Sequence, residues 1–217
     1  MEQYYSLSHR FSQVLKKDPY SGGDGYMIRS LYFDTIDDGD YMDKVDGVEV
    51  RRKIRLRYYG SGTPSVMLEI KQKQGMSQRK RSLKMRKEDA AYMAEGDYSV
   101  LLSYDDPFAV ECFVLMNTLC YRPKAVISYI RRVYIADENR TRITFDRNIT
   151  GTESSFNFLN DNLPEYSLLD PCLAVLEVKF GGFLLSYIKD ILNTIDSSEI
   201  SASKYCFGRT VSKHYFF

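Results

Sequence analysis

The sequence predicts an α+β protein: an antiparallel, barrel-like β-sheet of about eight strands with flanking helices. Two features of the pattern predict this. Segments with period-two alternation recur along the chain and are separated by polar turns. Helical spacing is confined to a few segments near the start, the middle and the end. No linker or low-complexity segment interrupts the 217 residues, so a single domain over 1–217 is expected.

The elements follow in order. Residues 3–17 carry Tyr4, Leu7, Phe11, Val14 and Leu15 at helical spacing, and Pro19 with the Gly-rich 21–25 ends that helix. YMIRSLYFD at 26–34 alternates and is rich in aromatics, which predicts a strand. The polar 37–46 is a short helix or a loop. Strands are predicted near 48–59, 65–74 and 77–85. A helical stretch opens at 87–89, and an apolar helix spans 107–119 with Pro107 at its start. Segments 122–136 and 140–150 form a strand pair across a polar turn at 137–139. Residues 151–171 are loop-rich. A strand at 173–180 leads through Gly181 and Gly182 to a helix near 184–194, and a last helix starts around Ser203.

Composition narrows the function classes. Hydrophobic residues make up 44%, ample for a core, and the net charge is only +1. A nucleic-acid protein acting through bulk charge would be more basic, so any anion site is local and no nucleic-acid partner is expected. Cys112, Cys120, Cys172 and Cys206 lack CxxC spacing, which argues for reduced thiols in a cytoplasmic protein. The two histidines, His9 and His214, argue against His-ligated zinc and His-based nucleophilic catalysis. There is no membrane-length apolar run, no signal-peptide core, and no P-loop, dinucleotide or protein-kinase motif.

The strongest signal is VRRKIRLRYYG at 50–60. On a strand, Arg51, Lys53, Arg55 and Arg57 share one face, and Ile54, Leu56 and Tyr58 the other. Such a row of like charges belongs in water or against a polyanion. Arg79, Lys80 and Arg81, then Arg131 and Arg132, then Arg140 and Arg142 repeat the theme. Enclosing so many cations without an anion is costly, so an inward aim at phosphates is expected. Two further strands, LEIK at 68–71 and LEVK at 176–179, each place a Glu and a Lys on one face. Mg²⁺ and Mn²⁺ take one or two carboxylates plus phosphate oxygens, which makes Glu177 and Glu69 metal candidates. Asp34 and Asp146 end aromatic strands and serve either as weaker metal candidates or as turn caps.

Taken together, IRSLYFDT (28–35), the KxxG at 44–47, RRKIRLRYYG (51–60), LEIKQK (68–73), SYIRRVY (128–134), RITFD (142–146), LEVKF (176–180) and SKYCFGR (203–209) resemble the VTC domain. That is the polyphosphate polymerase domain of vacuolar transporter chaperones and their bacterial relatives, within the triphosphate tunnel metalloenzymes. The resemblance implies a closed antiparallel barrel whose lumen binds triphosphate or polyphosphate. It implies that Arg55, Arg57, Lys71, Lys80, Arg131 and Arg142 grip phosphates, with Tyr129 beside Arg131 and Lys179 on the face of Glu177. It makes Glu177 the main ligand of Mn²⁺ or Mg²⁺, and Ser203 and Lys204 phosphate contacts from the last helix. Family members usually begin with a Glu-x-Lys strand before the first helix. Glu2 to Tyr4 cannot supply it, so the first family strand is expected to be missing. The SPX and transmembrane domains of the eukaryotic proteins are not in this sequence either, which suggests a bacterial-type stand-alone member. The implied activity is transfer of the ATP γ-phosphate to a growing polyphosphate chain. The alternatives are a triphosphatase and a non-catalytic polyphosphate-binding module.

Overall fold

The computed structural model describes residues 1–60, 62–195 and 199–213, with residues 211–213 given by backbone alone. In chain order the elements are α1 (Glu2–Val14), β1 (Lys16–Lys17), β2 (Tyr26–Asp34), α2 (Gly39–Val45), β3 (Val50–Tyr58), β4 (Ser65–Gln74), β5 (Ser77–Arg86), α3 (Lys87–Ala94), α4 (Pro107–Thr118), β6 (Arg122–Ala136), β7 (Thr141–Thr152), β8 (Tyr166–Ser167), β9 (Ala174–Lys179), α5 (Ser186–Leu192) and α6 (Lys204–Lys213). The chain forms two compact units. The larger comprises Ile28–Ser128, Thr150–Leu168 and the chain from Lys204; the smaller comprises Met1–Met27, Tyr129–Ile149 and Leu169–Ser203.

In the larger unit the strands run β5-β4-β3-β2. Registers within β2 to β5 are antiparallel throughout. One face of these strands carries Leu31, Phe33, Ile54, Leu56, Leu68, Ile70, Leu83 and Met85, which pack with Ala90, Met93, Ala109, Cys112 and Met116. Each fully buried side chain of this kind contributes about 1.5–3 kcal/mol. A one-residue slip of β3 would exchange that row for Arg55 and Arg57, so burial pins the register. α4 begins with Pro107 in its first turn, as its sequence predicts, and Asp106 caps it by accepting from the Phe108 N–H.

In the smaller unit β1 pairs with the end of β6, and β9 pairs with β7. α1 lays Tyr4, Leu7 and Phe11 against Tyr134, Ile143 and Phe145, with Ile188 of α5 joining the cluster. The i, i+3/i+4 spacing of those α1 residues is the helical signal of the sequence.

Three expectations change. The first helix stops at Val14, which is 50% exposed, because Lys16 and Lys17 instead form ladder pairs with Ile135 and Tyr134. The loop-rich 151–171 contains a short strand, β8. The closed barrel is also corrected. The antiparallel sheet is present, but among the described residues its hydrogen-bonded series is open, with β5 at one end. The outer strand β5 is blunted by exposed Arg79, Lys80, Lys84 and Arg86, and like charges disfavour another strand there. No described helix is long and apolar enough to cross a membrane.

Candidate functional site

The larger unit builds a cationic face from strand register alone. Tyr32, Arg55, Glu69 and Ser82 are aligned across β2 to β5, as are Ser30, Arg57 and Met67, and then Lys53, Lys71 and Lys80. Aligned residues share a face, so this is the side opposite the apolar core. Glu69 is the hub and is only 3% exposed. Its carboxylate accepts from Arg55 Nε at 2.8 Å and pairs with Arg55 Nη2 at 2.7 Å, Arg57 Nη1 at 3.8 Å and the Lys80 ammonium. Burial by itself would raise the Glu69 carboxyl. Arg55 and Arg57, with the hydrogen bonds from Lys80 and Arg55, outweigh it and hold the group at about 2. One carboxylate thus serves three cations, while Lys53 and Lys71 on the same face add more positive charge. Burial, reinforced by Lys44 and Arg55, pushes the Lys53 ammonium down against the pull of Tyr32 and Cys206.

A buried aromatic pair backs this face. Arg55 Nη1 donates to the Tyr32 hydroxyl at 3.1 Å. The Tyr32 ring stacks on Tyr205 of α6, with centroids 5.2 Å apart and planes 20° off parallel. Tyr205 donates to Asp34 Oδ2 at 2.6 Å, and Asp34 also accepts from the N–H groups of Thr35, Asp40 and Tyr41. Of the two roles open to Asp34 in the sequence, the structure shows the cap. α6 lies close on β6: a Cβ on Gly208 would sit 2.9 Å from the Ile127 side chain. Arg209 clamps the helix to Asp38 and Glu153.

The smaller unit uses β6, β7 and β9. Arg131 makes a bidentate pair with the fully buried Asp146, both bonds at 2.7 Å, and lies over the Tyr129 ring at 5.2 Å. Burial would lower the Arg131 guanidinium, but Asp146 and Tyr129 raise it overall. Arg142 faces Lys179 in register, and Thr144 faces Glu177. Arg142 pairs with Asp18 at 3.4 Å, and Lys179 with Glu177 at 3.1 Å. Here Arg131, Arg142 and Lys179 each pair with a different carboxylate.

The structure therefore gathers Arg55, Arg57, Glu69, Lys71 and Lys80 on one face of the larger unit, and Tyr129, Arg131, Arg142, Glu177 and Lys179 on β6, β7 and β9 of the smaller. Ser203 is buried at the end of a smaller-unit segment, and Lys204 opens α6. The neighbours of these cations are corrected. Arg81 points to the core side, pairs with Glu111 of α4 and lies over Phe108. Arg132 turns to α1 and bonds Ser8 Oγ at 2.8 Å. Consecutive strand residues alternate faces, so a run of basic residues cannot all aim one way. Sequence reasoning missed Ser30, Tyr32 and Tyr205. Parity within IRSLYFD groups Ser30 with Tyr32, but nothing local says which face meets Arg55.

The model of the VTC domain family matches residues 1–213. The chain belongs to the VTC domain family. This VTC domain also resembles solved structures in fold. A candidate adenylyl cyclase from Hippeastrum, described with a dominant triphosphatase activity, aligns at TM-score 0.55 and 14% identity, covering 97% of this chain and 90% of that one. A candidate adenylate cyclase from Bacillus halodurans aligns at TM-score 0.50 and 12% identity, covering 98% and 92%. At such identities the likeness establishes the fold, that of the triphosphate tunnel proteins. No curated protein matches the chain. Triphosphate tunnel enzymes generally use divalent metal ions; among the described residues no group of three or more His, Cys, Asp or Glu side chains gathers to hold one, so a single carboxylate with phosphate oxygens is the arrangement left to test. Glu177, with its side chain 44% exposed, is placed to give a single carboxylate, and the remaining ligands would be water and phosphate oxygens. Glu69 and Asp146 are buried and committed to arginines.

Proposed function

We propose that this VTC domain is a metal-dependent polyphosphate polymerase that moves the γ-phosphoryl group of ATP onto the end of a polyphosphate chain. The observation that supports this best is the β2–β5 face, where Arg55, Arg57 and Lys80 converge on Glu69 and Lys53, Lys71 and Lys80 lie in register on the same face. In the reaction the β–γ bridging P–O bond breaks, a terminal polyphosphate oxygen forms the new P–O bond, and ADP leaves. The nucleophile is already ionised, so no general base is required. Arg55 and Arg57 orient the chain through planar forks, while Lys71 and Lys80 add point charges that spread the negative charge of the transferring group. Glu69 keeps the two guanidiniums aimed before substrate arrives, which is electrostatic preorganisation. Arg142, Lys179, Ser203, Lys204, and Arg131 with Tyr129 are proposed as further phosphate contacts. Glu177 would hold Mn²⁺ or Mg²⁺, which screens phosphate charge when bound.

Purified protein incubated with ATP and Mn²⁺ should yield long-chain polyphosphate on a gel, with equimolar ADP per phosphate incorporated. Arg57→Ala should lose at least about a hundredfold in rate while staying folded. Wild-type synthesis by that variant would overturn the proposal. A second reading, triphosphate hydrolysis, draws support from the triphosphatase activity described for the Hippeastrum protein. It is chosen instead if orthophosphate appears and no chain does. If phosphates bind without turnover, the domain is a binding module.

A further inference from the structure

We infer that Tyr32 is a ligand of the bound phosphate chain, donating its phenolic proton to a phosphate oxygen. The inference rests on the reading of the β2–β5 face as a phosphate site and adds a residue type to it: a neutral donor among cations.

The geometry carries it. The Tyr32 hydroxyl receives a hydrogen bond from Arg55 Nη1, and this is the one hydrogen bond of its side chain among the described residues. Its own O–H therefore has no acceptor in the described protein. The groups that act on it from β3 are Arg55, Arg57 and Lys53, all cations without a lone pair to offer. Other polar neighbours are committed: Glu69 to Arg55, Arg57 and Lys80, and Asp34 to Tyr205 and three backbone N–H groups. Tyr32 is only 4% exposed. The ring is held rigidly, stacked on Tyr205 of α6, so the hydroxyl is aimed without further entropy loss. A buried donor left without an acceptor is costly, and an anion drawn in by Arg55 and Arg57 supplies the missing oxygen. The pull of those cations also outweighs burial and lowers the phenol from its usual range, which makes it a stronger hydrogen-bond donor.

Tyr32→Phe tests this because it keeps the ring and the stack on Tyr205 and removes only the hydroxyl. Isothermal titration with tripolyphosphate should show about tenfold weaker binding for the variant than for wild type. A second readout is independent of turnover. In alkaline buffer, tripolyphosphate should suppress a tyrosinate absorbance in the wild type, and Tyr32→Phe should abolish that difference. Unchanged affinity in Tyr32→Phe, with wild type binding well, overturns the role of Tyr32 and leaves the phosphate site standing. Failure of wild type itself to bind tripolyphosphate overturns the site and this inference together.

Discussion

The face of β2–β5 and the face of β6, β7 and β9 hold similar residue types and handle charge in opposite ways. In the larger unit Arg55, Arg57 and Lys80 converge on one buried carboxylate, Glu69. In the smaller unit Arg131 has Asp146, Arg142 has Asp18 and Lys179 has Glu177. A surplus of preorganised cations attracts an anion outright. Neutral pairs hold side chains in place and must be loosened before they can grip one. The first surface is the one proposed to recognise phosphate. The second is divided between a buried structural pair, Arg131–Asp146, and exposed pairs that a ligand or ion can enter.

The contrast can be broken experimentally, beginning with the largest effect on stability. Asp146→Asn leaves the Arg131 guanidinium, 14% exposed, without its anion. The expected cost is about 3–5 kcal/mol in urea denaturation, and a cost under about 1 kcal/mol would show that the pair is not structural. Next is the acid limb of stability. Glu69 sits near 2 when folded, below the ordinary glutamate value of 4.5. A depressed carboxyl contributes stability that is fully present above its unfolded value and is lost as the pH falls from about 4.5 toward 2, here about 3 kcal/mol in total. Glu69→Gln should flatten that limb. An unchanged acid profile in the variant would remove Glu69 from its place as the hub.

Ligand protection separates the two faces at slightly smaller scale. Tripolyphosphate at a hundred times its Kd should stabilise the wild type by about 2.7 kcal/mol. Arg57→Ala should lose most of that protection at the same ligand concentration, and Arg142→Ala, whose guanidinium is already paired with Asp18, should lose a smaller part. Equal losses would mean that surplus charge does not distinguish the faces. The smallest stability effect is expected for Glu177→Gln. Its pair with Lys179 is exposed, so denaturation should shift by less than about 0.5 kcal/mol. The metal dependence of turnover should change in the same variant, and an unaltered metal titration would take Glu177 out of the ion site.

Much of this protein was legible in one dimension. Alternation in VRRKIRLRY and SVMLEIKQKQ separated the apolar row from the row carrying Arg55, Arg57, Glu69 and Lys71, and the strands lie where that alternation predicts. Pro107 marked the start of α4. These are local properties: side-chain parity and capping depend on neighbours a few residues apart. Barrel closure was not legible, because closure depends on which edges find a partner. Nor was the fate of each cation. Arg131 and Arg132 look alike in sequence, yet one meets Asp146 and the other Ser8 of α1. Glu69 and Glu177 sit in near-identical motifs, yet one is buried under three cations and the other is half-exposed beside one lysine. Tyr32 gained its place beside Arg55 only through the β2–β3 register, and its stacking partner lies on α6, more than 170 residues away in the chain. The chain's local chemistry sets which residues share a face. The long-range pairing of strands and helices sets which carboxylate each cation meets, because electrostatic partners are chosen by distance in space.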